Sequence, residues 1–276
     1  MKAFCVVGPS DSGKTTFVER LVPLLDESGR VATVKSIHHD VDVDEEGKDT
    51  YRHREAGAER VVGVTPETRF ELADVEDKGE EIRATLNRLA DAGYDYAVVE
   101  GFSESSLPKF AVGETEASNV VLRDADEADD ETLVETVEGF EERETLGSLI
   151  RRVKTTDNSP KAGAVSTFTG RVREENLDEA RTTRLEYEKY EQVADERMEA
   201  IRQDLESREG VYEVAMHHET GIVEAEEDAV HVVVLAGHRQ EAFRAVEDGI
   251  NRLKNEVPIF KKEVTEDGEF WVHDRP

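Results

Sequence analysis

Only one cysteine, Cys5, and one tryptophan, Trp271, occur in the 276 residues. A lone cysteine excludes a disulfide within the chain and a zinc site built from several cysteines. Placed inside an apolar run, Cys5 reads as a small core residue. No apolar run approaches the roughly 18 residues of a membrane-spanning helix, and the chain opens directly into a short strand-like segment with no leader pattern. A soluble, cytoplasmic protein with no membrane partner is expected. Positive charge is also scarce: 35 Lys and Arg stand against 65 Asp and Glu, a formal net charge of −30. That balance argues against a nucleic-acid partner, which requires a basic face. With 37% apolar residues, the chain can build one large core or two ordinary ones.

The most specific stretch is G-P-S-D-S-G-K-T-T at 8–16. It fits G-x-x-x-x-G-K-[ST], with Gly8, Gly13, Lys14 and Thr15 on the fixed positions. An apolar strand-like run at 3–7 precedes it. Phe17, Leu21, Leu24 and Leu25 follow at helical spacing, where Pro23 is expected to shorten or kink the helix. Strand, glycine-rich turn and helix form a phosphate cradle. Backbone N–H groups and the helix dipole attract the anion, Lys14 reaches the terminal phosphates, and Thr15 holds Mg²⁺.

Further strands are expected at 30–35, 61–64, 69–72, 94–99 and 119–122. Helices are expected at 51–56 (N-capped by Asp49 or Thr50 and ended by Gly57), at 80–92 (stopped by Gly93) and at 129–140. Alternation of this kind predicts an α/β domain with a mostly parallel sheet. Glu100 ends an apolar strand, where a carboxylate can orient Mg²⁺ through water or activate a nucleophile; one that only solvates a strand end has the same pattern. His38, His39 and Asp40 match no standard zinc spacing. Composition places a domain boundary near 140–145, giving a first domain at 1–142 and a second at 143–276.

The second half alternates less regularly, so α+β is the better class. Strands are expected at 162–173, 182–190, 211–217 and 229–236, helices at 146–153, 193–205 and 238–256, and a closing hairpin after Pro258. Against the acidic background, Arg171, Arg173, His238, Arg239, Lys254, Lys261 and Lys262 stand at element ends. Together they suggest an anionic ligand; singly, each reads as a solvated charge.

The string at 8–16, V-K-S-I-H-H-D-V-D-V-D-E-E-G-K-D-T-Y-R-H-R-E-A-G-A at 34–58 and V-V-E-G-F-S-E-S-S-L-P-K at 98–109 together resemble the MobB family, small GTP-binding proteins of molybdenum-cofactor biosynthesis. The resemblance spans about residues 1–125. It implies a P-loop domain that binds GTP and Mg²⁺, hydrolyses weakly at most, and assists a nucleotidyltransferase of the pathway. Carried over by position, Gly8, Ser12, Gly13, Lys14, Thr15 and Thr16 hold the nucleotide, and His38, His39 and Asp40 line the neighbouring loop. Glu100 and Gly101 close the site, and Thr15 and Glu100 hold the metal. His38 and His39 also read as plain solvated loop residues.

In the second half, G-A-V-S-T-F-T-G-R-V-R, L-E-Y-E, A-G-H-R-Q-E-A-F, L-K-N-E-V-P-I-F-K-K-E and G-E-F-W-V occur in order. They closely resemble MoaE, the large subunit of molybdopterin synthase, over about residues 144–274, which implies an α/β hammerhead fold. That family converts cyclic pyranopterin monophosphate to the dithiolene of molybdopterin. The sulfur comes from a small ubiquitin-like carrier with a thiocarboxylated Gly-Gly C-terminus. The resemblance makes Lys254 and Lys261 catalytic, Lys254 by polarising the acyl group or by a transient covalent link, and Lys261 by stabilising developing negative charge. It makes Arg173, His238 and Arg239 substrate-binding. It further implies a homodimer through the second domain and no tightly bound cofactor there. The chain ends Asp274-Arg275-Pro276, so the carrier is expected to be another protein. A GTPase with a mere binding module, and a scaffold that passes the pterin on, are the rival readings. The acidic excess resembles that of proteins from salt-loving archaea, which remain soluble in concentrated salt and self-repel without it.

Overall fold

The computed structural model describes residues 1–37, 41, 43–175 and 180–272. It contains two compact units, Met1–Arg143 and Glu144–Pro276.

In chain order the first unit consists of β1 (Lys2–Val7), α1 (Lys14–Asp26), β2 (Val31–Lys35), α2 (Asp49–Glu55), β3 (Arg60–Val64), β4 (Arg69–Ala73), α3 (Lys78–Ala92), β5 (Tyr96–Glu100), β6 (Lys109–Ala111), β7 (Val120–Leu122) and α4 (Asp130–Glu138). The main sheet has the order β2-β5-β1-β6-β7 and all its pairings are parallel. β3 and β4 form a separate antiparallel hairpin. Strand β1 shows why its sequence is a continuous apolar run. Phe4 and Val6 pack with Phe17, Leu21 and Leu133 on the side of α1 and α4, while Ala3, Cys5 and Val7 pack with Ile82 and Leu86 of α3 on the other. A strand covered on both faces has no solvent side to carry polar residues.

Two local expectations are corrected, and one strand was not foreseen. Helix α1 runs through Pro23 to Asp26. Its face of Phe17, Leu21 and Leu25 is buried, and that burial outweighs the roughly 3 kcal/mol cost of an interior proline. The N-cap of α2 is Lys48, not Asp49 or Thr50, and no side chain caps it; the Thr50 hydroxyl instead donates to Asp44 Oδ1 at 2.6 Å. Strand β6 went unanticipated because it is three residues long and begins with Lys109, which is fully buried and donates to the Ser105 and Leu107 carbonyls.

The second unit consists of α5 (Leu146–Lys154), β8 (Ala164–Arg171), β9 (Thr182–Lys189), α6 (Glu191–Glu206), β10 (Val211–His218), β11 (Gly221–Glu224), β12 (Asp228–Ala236), α7 (Arg239–Glu256), β13 (Ile259–Thr265) and β14 (Gly268–Val272). Two antiparallel sheets result, ordered β10-β12-β8 and β11-β9-β13-β14. Central β12 is buried on both faces. Val232 and Val234 pack with α6 and α7, and Val233 and Leu235 pack with Leu149 and Val153 of α5. Strand β11, four residues long, was also not foreseen. The hairpin β13–β14 turns at Glu266-Asp267, with Thr265 opposite Gly268. This is an α+β unit. No helix among the described residues is long and apolar enough to cross a membrane.

Candidate functional site

Because the five main strands are parallel, the segments leaving their carboxyl ends gather at one edge of the sheet. Ligands of open α/β sheets bind at that edge. The loop after β1 closes on Gly8, where an added Cβ would lie 2.0 Å from the Val112 carbonyl oxygen, too close for any side chain. Gly13 caps α1 at φ 92°, in the left-handed region that favours glycine. The first turn of α1 carries no acidic residue, a notable gap in so acidic a chain. Its free N–H groups thus face the loop with no acidic side chain of the helix's own first turn beside them. Lys14 Nζ curls back over the loop, 3.0 Å from the Gly8 carbonyl oxygen and also bonded to that of Pro9. Ser12 Oγ is buried inside the loop with no hydrogen-bond partner. Thr16 is exposed on α1.

The end of β5 supplies the opposite wall. The Thr15 hydroxyl donates to Glu100 Oε1 and Oε2 at 3.1 and 3.2 Å. Gly101 follows, its N–H held by the Val6 carbonyl at 2.9 Å. His38, His39 and Asp40 lie outside the described residues. Sequence reasoning overlooked Lys35 at the end of β2, whose ammonium is 3.0 Å from Glu100. The parallel register pairs Lys35 with Glu100, so aligning the strand ends would have found it. A carboxylate at a strand end and a hydroxyl beside it, here Glu100 and Thr15, are hard oxygen donors of the kind Mg²⁺ takes. Among the described residues no group of three or more His, Cys, Asp or Glu is placed to hold a metal ion.

In the second unit, the pleat separates two adjacent lysines of β13. Lys262 is held by Glu269 at 2.7 Å and Glu186 at 3.6 Å. The Glu269 bond, more than any other influence, pushes its pKa up. Lys261 leaves the opposite face, across from Tyr187 and Val272. Tyr187 is buried with Val172, Val223 and Ala229, and burial raises its phenol to about 12. The His218 ring meets it edge-on at 4.7 Å. Arg173 follows Val172 of this cluster in the chain, and Lys261 pairs with Tyr187 of it across the sheet.

Arg171, two residues earlier, is tied to the Glu226 carbonyl and to Asp228 at 3.5 Å, and Arg252 is tied to Asp204 and Glu256. By contrast, Arg173, Arg239, Lys254 and Lys261 are exposed and have no hydrogen bond or ion pair among the described residues. Lys154 and Arg244 share that freedom, so lack of a partner narrows the candidates without naming them. His238 is the N-cap of α7 and Arg239 its first residue, whereas Lys254 lies in its last turn. Fifteen helical steps put Arg239 and Lys254 about 22 Å apart. One copy of the chain does not bring all five groups together.

The family described as Molybdopterin guanine dinucleotide synthesis protein B matches residues 3–142. The family described as MoaE protein matches residues 141–256. A probable molybdopterin synthase from Haloferax volcanii is 45% identical over 273 residues, 98% of this chain and 99% of that protein. The molybdopterin synthase catalytic subunit of Bacillus subtilis is 42% identical over 114 residues, 41% of this chain and 72% of that protein. The X-ray structure of molybdopterin synthase from Staphylococcus aureus superposes with a TM-score of 0.43 at 33% identity, over 49% of this chain and 93% of that one. The chain therefore belongs to the molybdopterin guanine dinucleotide synthesis protein B family over its first half and to the molybdopterin synthase catalytic subunits, the MoaE family, over its second.

Proposed function

We propose that the second unit transfers sulfur from the C-terminal thiocarboxylate of a small ubiquitin-like carrier to cyclic pyranopterin monophosphate, and that the first unit is a GTP-binding adapter. Two transfers complete the dithiolene. Each forms a carbon–sulfur bond on the pterin side as a carbon–oxygen bond at that carbon breaks, the oxygen leaving as water or staying on the phosphate. Water then hydrolyses the acyl–sulfur bond and leaves the carrier tail as a carboxylate. The single observation that carries the reading is the sorting of cations in the second unit. In an acidic chain where Arg171, Arg252 and Lys262 are neutralised by neighbours, Arg173, Arg239, Lys254 and Lys261 have no partner among the described residues and stand open to an anionic substrate. Lys254 acts on the acyl group. Lys261 stabilises charge developing during transfer, and Arg173 and the α7 N-terminus bind phosphate and carrier tail.

The separation along α7 supports a homodimer. For all five groups to meet one substrate, His238 and Arg239 must come from a second copy. In the first unit, Gly8 to Thr16 cradle the phosphates of GTP. When bound, Mg²⁺ would sit on Thr15 and Glu100 and neutralise charge between the phosphates and the protein. The test is conversion of cyclic pyranopterin monophosphate by the purified full chain with thiocarboxylated carrier in concentrated salt. Formation of dithiolene supports the synthase reading. Carrier binding without turnover would replace it with a scaffold.

A further inference from the structure

Lys35 ends β2, and its register puts it beside Glu100, the end of β5. Its ammonium lies 3.0 Å from Glu100 Oε1 and 3.3 Å from Thr15 Oγ1. One cation of the chain therefore touches both groups that would hold the divalent ion. The Glu100 side chain is 14% exposed and that of Lys35 is 55% exposed, so the ammonium covers an enclosed carboxylate from the solvent side. Left without a counter-charge, such a carboxylate is costly to enclose. Nothing else among the described residues supplies Glu100 with positive charge: Lys14, the nearest other lysine in the loop, bonds to the Gly8 and Pro9 carbonyls instead.

We propose that Lys35 is a built-in occupant of the divalent-cation position. Its ammonium neutralises Glu100 in the nucleotide-free protein and has to leave before Thr15 and Glu100 are free for Mg²⁺, so the metal enters only together with the nucleotide. The proposal rests on the nucleotide reading of the first unit. A single charge on a flexible four-carbon stem suits this role. It satisfies the carboxylate while the site is vacant of phosphate, and it yields to a denser charge that the phosphates also bind. The arrangement would keep the protein from collecting divalent metal at this site in its idle state.

Mn²⁺, visible by electron paramagnetic resonance, is the probe. It is titrated without nucleotide into the full-length wild type, Lys35→Met and the double variant Lys35→Met, Glu100→Gln, in molar KCl, after thermal unfolding has shown all three to be folded. Surface carboxylates bind Mn²⁺ in all three and cancel in the comparison. Lys35→Met should show one further Mn²⁺ per chain that wild type and double variant lack. Equal binding by wild type and Lys35→Met overturns the proposal, as does a gained site that survives Glu100→Gln. A fluorescent GTP analogue gives a second readout. Removing Mg²⁺ should weaken its binding to Lys35→Met roughly tenfold more than to wild type, the size of a partly screened charge interaction. An identical Mg²⁺ requirement in both also overturns it. Failure of wild type to bind GTP would instead sink the nucleotide reading, and the Mn²⁺ comparison would still stand by itself.

Discussion

The two units build their candidate sites in opposite ways. In the first, the groups come from one contiguous loop and from the ends of adjacent parallel strands, and much of the attraction for an anion is backbone: glycines that let N–H groups approach, and the start of a helix whose own first turn carries no acidic residue. In the second, the groups are single side chains on β13, after β8 and at the two ends of α7, and they differ from their neighbours chiefly in having no carboxylate partner. The difference teaches that a backbone site tolerates little change of shape, whereas a side-chain site tolerates changes everywhere except at a few charges.

The largest effect that would sharpen this contrast is at Lys254. Lys254→Ala should lower dithiolene formation by at least about three orders of magnitude, with an unfolding midpoint like that of wild type, because the side chain is exposed and unpartnered. Retained activity would remove Lys254 from the chemistry. Next is Gly8→Ala, which forces a methyl against the Val112 carbonyl. GTP affinity should fall about a hundredfold, as it should for Lys14→Ala, which keeps the loop shape but removes the charge. A Gly8→Ala protein that binds GTP normally would break the claim that this site is made by backbone shape.

The pH dependence of stability probes the second unit. Burial pushes His218 down to about 4 from 6.5, with its hydrogen bond to the Glu219 carbonyl opposing, and burial lowers His231 in the same direction. Between those two pH values the unfolded chain holds a proton at His218 that the folded chain does not. Stability therefore falls as pH drops from about 6.5 towards 4, by at most about 3 kcal/mol from this residue. Denaturant midpoints at pH 7.5 and 5.0 should fall further for wild type than for His218→Gln; equal falls would show that His218 titrates normally when folded. A smaller effect tests the shared site. Mixing Lys254→Ala with Arg239→Ala after reversible dissociation should restore about a quarter of wild-type activity, since half of the dimers are mixed and each has one intact site. No recovery would confine each site to a single copy. The smallest change expected is for Lys262→Ala, whose carboxylate partners keep it away from substrate: sulfur transfer should stay within about twofold of wild type.

The outline of the first unit was legible because its signals are local: apolar runs covered on both faces, a glycine-rich turn, and stop signals such as Gly93, which does end α3 at φ 83°. What was missed depends on how the backbone and side chains pack once folded. Lys109 interrupts the apolar pattern of β6, and only the folded chain shows it buried and bonded to the Ser105 and Leu107 carbonyls. Pro23 reads as a residue that shortens or kinks its helix until the burial of Phe17, Leu21 and Leu25 is counted. The N-cap of α3, Asp77, accepts from the Glu80 N–H at 2.8 Å and was passed over because its signal sits five residues ahead of Ile82, the first apolar position.

By itself the sequence determined the phosphate-loop motif, the class of each unit and the order of the five strings that mark the second half, since each of these is written in adjacent residues. Only the tertiary structure decided that Lys35 shares Glu100 with Thr15, that Lys262 is paired while Lys261 has no partner among the described residues, and that α7 holds Arg239 and Lys254 apart. Strand register, pleat and helix length set those relations. They act through space between segments, so no local pattern records them.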